Sequence, residues 1–301
     1  MTLSVLICTY NRPQLLEKSL AALERSLEPA DQLVVVNGGD EDADRVVQRF
    51  EPHFREVKLI RTRNVNLATS RNVGLPHCTG DVIAMTDDDA EVFPDWITRL
   101  KEAHKAHPEA GAVGGMVIGT NQDKLVARMA DVATFPSFPR SGYHRTLPGV
   151  NISYKQEVVR RVGEQDPRLF RGEDVDFNWR VIRLGYKIYY DPEIKVYHHH
   201  RPTMRQFLQQ HYMYGRTYYL VRRKWDDLYC AYPRELRRPR DFLKLVSFMA
   251  TTVYEPLLSS LKMPRWLDKG ISFPFFVARQ LGWMAGLLRQ AQLEREREPC
   301  G

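Results

Sequence analysis

Three adjacent carboxylates, Asp87-Asp88-Asp89, follow a short apolar run at 81–85. Carboxylates this close repel one another unless something cationic compensates. A hard divalent cation is one such partner, and a nucleotide diphosphate can complete its oxygen ligands. A solvated acidic turn ahead of a helix is the plainer alternative. A second acidic cluster, Glu173-Asp174-Val175-Asp176, opens a helical pattern after Arg171-Gly172. Capping and the helix dipole account for one carboxylate there. The others are candidates for a general base, which must be held near a reacting hydroxyl. His198-His199-His200 follows a β-rich run, and neighbours along a strand point to opposite faces, so at most two of the three share one site. As an isolated triplet it reads more simply as surface. Arg71-Asn72, behind Asn64 and Asn66, offers a guanidinium suited to a diphosphate, or simply an arginine on a helix surface.

These residues need a frame. Apolar runs at 3–8, 32–36, 57–60, 81–85 and 112–118 alternate with helical patterns, such as Leu16, Leu20, Leu23 and Leu27 behind Pro13. The alternation predicts an α/β fold, a mostly parallel sheet with helices on both faces. Ligands of such sheets bind at the carboxyl ends of the strands. Thr9-Tyr10-Asn11, Asn37-Gly38-Gly39-Asp40 and Asp87-Asp88-Asp89 fall at three such ends and are expected to face one crevice. Residues 120–150, with Pro136, Pro139 and Pro148, are expected to form a long mobile loop. A helix at 174–184 closed by Gly185, strands at 187–190 and 194–198, and helices at 203–224, 240–261 and 271–293 complete the expected order.

The ordered set is more specific than its members. Thr9-Tyr10-Asn11, Asn37-Gly-Gly-Asp40, Ser70-Arg71-Asn72, Asp87-x-Asp89 with Pro94-Asp95-Trp96, Gly172-Glu173-Asp174-x-Asp176 and His198 occur in that sequence. The chain resembles the family 2 glycosyltransferases over about residues 3–225. The resemblance implies a GT-A fold with a C-terminal helical extension. It divides the chain into a catalytic domain at 1–202 (nucleotide half 1–119, acceptor and base half 120–202) and a helical region at 203–301. It implies that Thr9, Tyr10, Asn11, Asn37, Asp40, Arg71, Asp87 and Asp88 bind the nucleotide-sugar donor, and that Asn151 lines the sugar pocket. Asn37 stands where the family more often has Asp, and Gly39 where it often has Ser. Asp87, Asp89 and His198 are the implied ligands of Mn2+ or Mg2+. Asp174 is the implied catalytic base, with Glu173 as its neighbour. The expected reaction is inverting, metal-dependent transfer of one sugar from a nucleotide-diphosphate sugar, UDP-linked as the base-rate choice, to a saccharide or lipid-linked acceptor. One carboxylate then suffices, unlike glycoside hydrolysis, which uses two. Processive relatives have a Gln-x-x-Arg-Trp motif. Gln209-Gln210-His211-Tyr212-Met213 lacks its Arg-Trp.

Charge divides the chain near the same place. Of 44 Lys+Arg and 37 Asp+Glu, residues 201–301 hold 18 and 9. Arginines such as Arg205, Arg216, Arg222 and Arg238 interleave with Tyr212, Tyr218, Trp225 and Tyr232. Aromatic stacking with a basic groove would suit single-stranded nucleic acid, but the motifs upstream argue against it. Packing in a helical core explains part of the pattern. Docking of residues 201–290 on an anionic membrane surface is the favoured expectation, with the chain peripheral on the cytoplasmic face. The run at 271–288 contains Pro274, Arg279 and Gln280 and is not expected to span. Four scattered cysteines suggest no disulfide framework. Two other classes remain. A nucleotidyltransferase would want a glycine-rich loop after the first strand, where Thr9-Tyr10-Asn11-Arg12-Pro13 stands, and a non-catalytic sugar-nucleotide module would not need both acidic clusters.

Overall fold

A computed structural model describes residues 1–200, 203–225, 227–228 and 239–297. They form two compact units. The first comprises Met1–Thr120 and Phe135–His199, the second Asn121–Thr134 and the chain from His200 on.

The first unit is built on a nine-stranded mixed sheet. Its opening half runs β1 (Leu3–Thr9), α1 (Pro13–Glu24), β2 (Gln32–Asn37), α2 (Glu41–Phe50), β3 (Val57–Arg61), α3 (Leu67–Gly74) and β4 (Val82–Asp87). These four strands pair in parallel in the order β3-β2-β1-β4. Every residue of β2 is buried, which fits a strand covered on both faces. Along β1 the side chains alternate. Val5 and Ile7 join a core with Leu16, Leu20 and Trp96, while Leu6 enters the opposite core with Val34, Ile83 and Phe177.

The sheet continues through β5 (Ala90–Val92), α4 (Trp96–Ala106), β6 (Ala110–Gly119), β7 (Gly142–Tyr143), β8 (Ile152–Lys155), α6 (Gln156–Val162), α7 (Glu173–Arg183) and β9 (Lys187–His198), with α5 (Leu125–Thr134) set between β6 and β7 in the chain. β8 lies antiparallel between β4 and β6, and β9 pairs with β6 in parallel and with β5 and β7 antiparallel. The two strands expected at 187–198 are one strand, whose pairing with β6 shifts register between Gly115 and Met116.

The long loop expected at 120–150 is partly wrong. Leu125–Thr134 is a helix, and it belongs to the second unit. Its Val126, Met129 and Ala130 are buried with Phe207, Met263 and Phe276. Prolines beyond it hid this short helical stripe.

The second unit adds α8 (Met204–Lys224), α9 (Pro239–Leu261) and α10 (Trp266–Arg297). α10 begins earlier than expected and continues through Pro274. By length and composition it could cross a membrane, which was not expected of a run containing Pro274, Arg279 and Gln280. Arg279 and Gln280 are turned inward, at 7% and 8% exposure. Of the basic and aromatic residues at 201–244, Arg201, Tyr229, Tyr232, Arg234, Arg237 and Arg238 lie outside the described residues, as do Cys230 and Cys300.

Candidate active site

The register of β1 against β4 pairs Cys8 with Asp87, so Thr9-Tyr10-Asn11 leaves the sheet beside the triple aspartate. The pairing of β5 with β9 sets Ala90 opposite His198. That brings the end of β9 to the same place. One ligating atom each from Asp87, Asp89 and His198 lie within 4.8 Å of one another. His198 Nε2 is 3.4 Å from Asp89 Oδ1. Burial alone would raise the Asp89 carboxyl, but His198 and Arg12 outweigh it and hold it well below the usual range. Burial likewise works against protonation of His198, yet Asp89 holds that proton more tightly than usual. Two hard carboxylates and an imidazole at this spacing fit a divalent cation such as Mn2+ or Mg2+.

Asp88 differs from its neighbours. It is fully buried. Thr9 Oγ1 donates to it at 2.7 Å, and Arg12 Nη2 lies 2.5 Å from its other oxygen. Burial first, and then Asp89, push its carboxyl up to about 7 against the pull of Arg12. The expectation that Asp88 meets the donor is therefore corrected, because it points into the protein. The Thr9 hydroxyl serves it rather than a ligand. Arg12 also bonds Asp89 at 2.7 Å. Sequence reading missed Arg12, since no local pattern tells which acid an exposed arginine after a strand will reach.

Arg71 is placed by α3, whose N-cap Asn66 accepts from the Thr69 backbone N–H at 2.9 Å. Its guanidinium is 3% exposed. It donates to Asp87, Glu173 and the Gly149 carbonyl, each at 3.1 Å. With those partners it cannot also grip a diphosphate as an open surface arginine would. Its place is as a bridge between the two acidic clusters. Glu173 is buried against it, and burial first, then Asp174, raise the Glu173 carboxyl to about 7 against the pull of Arg71.

Asp174 sits one residue further along the first turn of α7, which begins after Gly172 in a left-handed conformation (φ 67°). Unlike Glu173, it is only half-buried. Gly149 N–H donates to one of its oxygens at 2.9 Å and Val175 N–H to the other at 2.8 Å. Among the described residues no cationic side chain forms an ion pair with it. A carboxylate oriented in this way and reachable from solvent can take a proton.

The β2 end supplies a second polar cluster. Asp40 caps α2, accepting from Asp42 N–H at 3.2 Å, and remains exposed. Asn11, at φ 51°, accepts from the Asp40 N–H at 3.0 Å. Gly39 passes so close to Asn11 that a Cβ there would lie 2.6 Å from its backbone nitrogen. Tyr10 is 48% exposed beside them. Asn37 is a correction. It is buried, and its amide bonds Asp40 O, Asp44 and Gly39 N–H, so it shapes the turn rather than facing a base.

Asn151 is also corrected. It is fully buried, accepts from Trp96 Nε1 at 2.8 Å and donates to Met116 O and Ile194 O, both at 2.9 Å. It ties β6, β9 and α4 together beneath the site and cannot line a sugar pocket. Of the histidine triplet, His199 turns to Glu91 at 2.6 Å, which leaves His198 as the member beside Asp89.

Similarity to known proteins shows the family and the fold. The model of glycosyl transferase family 2 matches residues 4–162. A glucosyl-dolichyl phosphate glucuronosyltransferase of Haloferax volcanii is 31% identical over an alignment of 225 residues, and the match covers 66% of this chain and 69% of that one. Among solved structures, mannosyltransferase PcManGT from Pyrobaculum calidifontis, in complex with GDP-Man and Mn2+, aligns over 96% of this chain and 86% of its own with a TM-score of 0.65 at 16% identity. S. aureus TarS 1-349 with UDP-GlcNAc aligns over 100% and 93% with a TM-score of 0.57 at 15% identity. The GT-A fold, with its sheet flanked by helices, is shared with these structures, and the chain is a glycosyltransferase that belongs to family 2.

Proposed function

We propose that the chain is an inverting, metal-dependent glycosyltransferase. It moves a single sugar from a nucleotide-diphosphate sugar, for which we assign UDP, to a hydroxyl of a glycan or lipid-linked acceptor in the synthesis of cell-surface polysaccharide or glycoconjugate. The observation that supports this most is the joining of Asp87, and through it the Asp89–His198 pair, to the Glu173-Asp174 turn by the single guanidinium of Arg71.

Asp174 is the base in this reading. It takes the proton of the acceptor hydroxyl as that oxygen attacks the anomeric carbon from the face opposite the diphosphate. The new C–O bond forms as the bond to the diphosphate oxygen breaks, the diphosphate leaves with the electron pair, and configuration inverts. A divalent cation held by Asp87, Asp89 and His198 would supply positive charge beside the departing diphosphate. Glu173 and Arg71 position the base and the cation ligands. Tyr10, Asn11 and Asp40 are assigned to the nucleotide base. Donors named with the aligned structures, GDP-Man with Mn2+ and UDP-GlcNAc, support this donor class. A relative named for its dolichyl phosphate substrate supports a lipid-linked acceptor. We place the chain on the cytoplasmic face of a membrane, docked through residues 201–290.

Titration calorimetry with UDP-, GDP- and dTDP-sugars, with and without Mn2+, tests the reading. Binding of one donor that strengthens at least about tenfold with Mn2+ is expected. No binding of any donor, with or without the metal, would contradict it.

A further inference from the structure

The helices of the second unit bury a polar cluster beside Phe248, Phe276 and Leu287, and they leave long apolar tracks exposed. Along α9, the residues at helical spacing Val246, Met249, Val253, Leu257 and Leu261 are all exposed. Along α10, Leu267, Ile271, Leu281 and Leu288 are exposed in the same way. Between the two helices lie Ser259, Ser260, Ser272, Arg279 and Gln280, all at least nine-tenths buried. Ser260 and Ser272 share a hydrogen bond at 3.2 Å. The stretches 246–261 and 270–288 each contain one charged residue, Glu255 and Arg279. Those two pair with each other at 2.7 Å. A water-facing helix pair carries charged and polar residues along its outer side, where these helices carry apolar ones.

The contact of α8 with α10 is of a kind suited to lipid surroundings. Gly215 and Gly286 let the backbones approach so closely that a Cβ on either would lie within 2.0 Å of a carbonyl oxygen of the other helix. Small residues and inter-helix hydrogen bonds, rather than interdigitated leucines, hold helices together where the solvent is itself apolar. Apart from the Glu255–Arg279 pair, charge lies at the ends of the apolar tracks. Lys262, Arg265 and Lys269 are exposed around the α9–α10 turn beside Trp266, which is 80% exposed. α8 keeps a polar outer side, with Arg205, Gln206, Gln209 and Arg223 exposed. A spanning bundle would need apolar residues on every side, whereas one apolar side and one polar side suit a unit sunk into one leaflet.

We propose that the outer face of α9 and α10 is buried in the acyl region of one bilayer leaflet, with Lys262, Arg265 and Lys269 at the lipid phosphates. The inference rests on the reading that the chain works at a membrane, and goes beyond electrostatic docking by its basic segment. The apolar face, not the basic cluster, holds the protein there. Binding is therefore insensitive to salt and does not require anionic lipid.

The test is flotation of the full chain with vesicles of neutral phosphatidylcholine, and of phosphatidylcholine with phosphatidylglycerol, at 0.1 and 0.5 M NaCl (roughly 10 Å and under 5 Å of Debye screening). Co-flotation with both compositions at both salts is expected. Acyl-brominated lipid should quench Trp emission, and Trp266→Phe should remove most of that quenching. The triple variant Val253→Asp/Leu257→Asp/Leu281→Asp should lose at least about tenfold of vesicle affinity. Binding that needs anionic lipid and vanishes at 0.5 M NaCl would overturn the inference. So would a salt-stable dimer in solution with no vesicle binding, since the face would then cover a second copy. The Trp266 quenching stands as evidence if the triple variant fails to fold. Donor binding, measured by calorimetry on the same samples, separates failure here from failure of the glycosyltransferase reading.

Discussion

Arg71 lies 3.1 Å from Asp87 and 3.1 Å from Glu173, so one buried guanidinium neutralises the end of β4 and the start of α7 together. Removing it leaves one buried carboxylate, Glu173, and one half-buried carboxylate, Asp87, without their cation. Breaking a buried ion pair from one side costs about 3–5 kcal/mol. Arg71→Met is therefore expected to lower unfolding free energy by at least about 3 kcal/mol in urea titrations. Arg71→Met/Glu173→Gln should recover part of that loss. Additive effects of the two changes would contradict the bridge.

Adjacent aspartates are expected to behave differently. Asp89 faces His198, whereas Asp88 is fully buried and accepts from Thr9, and the exposed Arg12 reaches both. Asp89→Asn should weaken Mn2+ binding, read by electron paramagnetic resonance, by at least about tenfold. Asp88→Asn should leave Mn2+ affinity within a few-fold and cost about 1–3 kcal/mol of stability instead.

Gly39 should not tolerate a side chain, because a Cβ there meets the Asn11 backbone. Gly39→Ser is expected to displace Asn11 from the Asp40 N–H and weaken nucleotide binding about tenfold, with thermal unfolding moved by only a few degrees. Unchanged donor affinity would mean that the Asn11–Asp40 turn does not touch the nucleotide.

Stability should fall in acid partly through His104. It is buried, with Nε2 2.9 Å from Ser153 Oγ, and burial first, then Lys155, lower its pKa to about 3. An unfolded histidine titrates near 6.5. Between pH 6.5 and about 3 the unfolded chain therefore binds a proton that the folded chain refuses. The contribution is complete above pH 6.5 and is lost as pH falls, by about 1 kcal/mol per unit. The wild-type urea midpoint should drop more between pH 7 and pH 5 than that of His104→Gln. Parallel pH curves would contradict this.

Much of the frame was legible because β1, β2 and β4 are buried apolar runs that end in polar clusters, a pattern that periodicity reports directly. The helix at Leu125–Thr134 was not, because its short stripe sits between turn-rich segments and is buried by residues more than seventy positions away. Within the site, residue types were legible and directions were not. Nothing local distinguishes Asp88 from Asp89, and only the fold decides that one meets Thr9 and the other His198. Asn37, Arg71 and Asn151 have the chemistry of ligand-binding residues, but long-range partners draw them inward. The pairing of Arg279 with Glu255 between α9 and α10 was not legible for a related reason. Composition counts Arg279 and Glu255 as charges, whereas in the fold they neutralise each other.

The most direct measurement is sugar transfer by Asp174→Asn, with donor and Mn2+ binding measured on the same protein. Asp174 contacts Gly149 and Val175 by backbone bonds that asparagine can keep in part, so binding should remain within a few-fold of wild type. Transfer should fall by about 10²–10⁴-fold, the range expected when a general base is lost. Near wild-type transfer with binding intact would show that Asp174 is not the base.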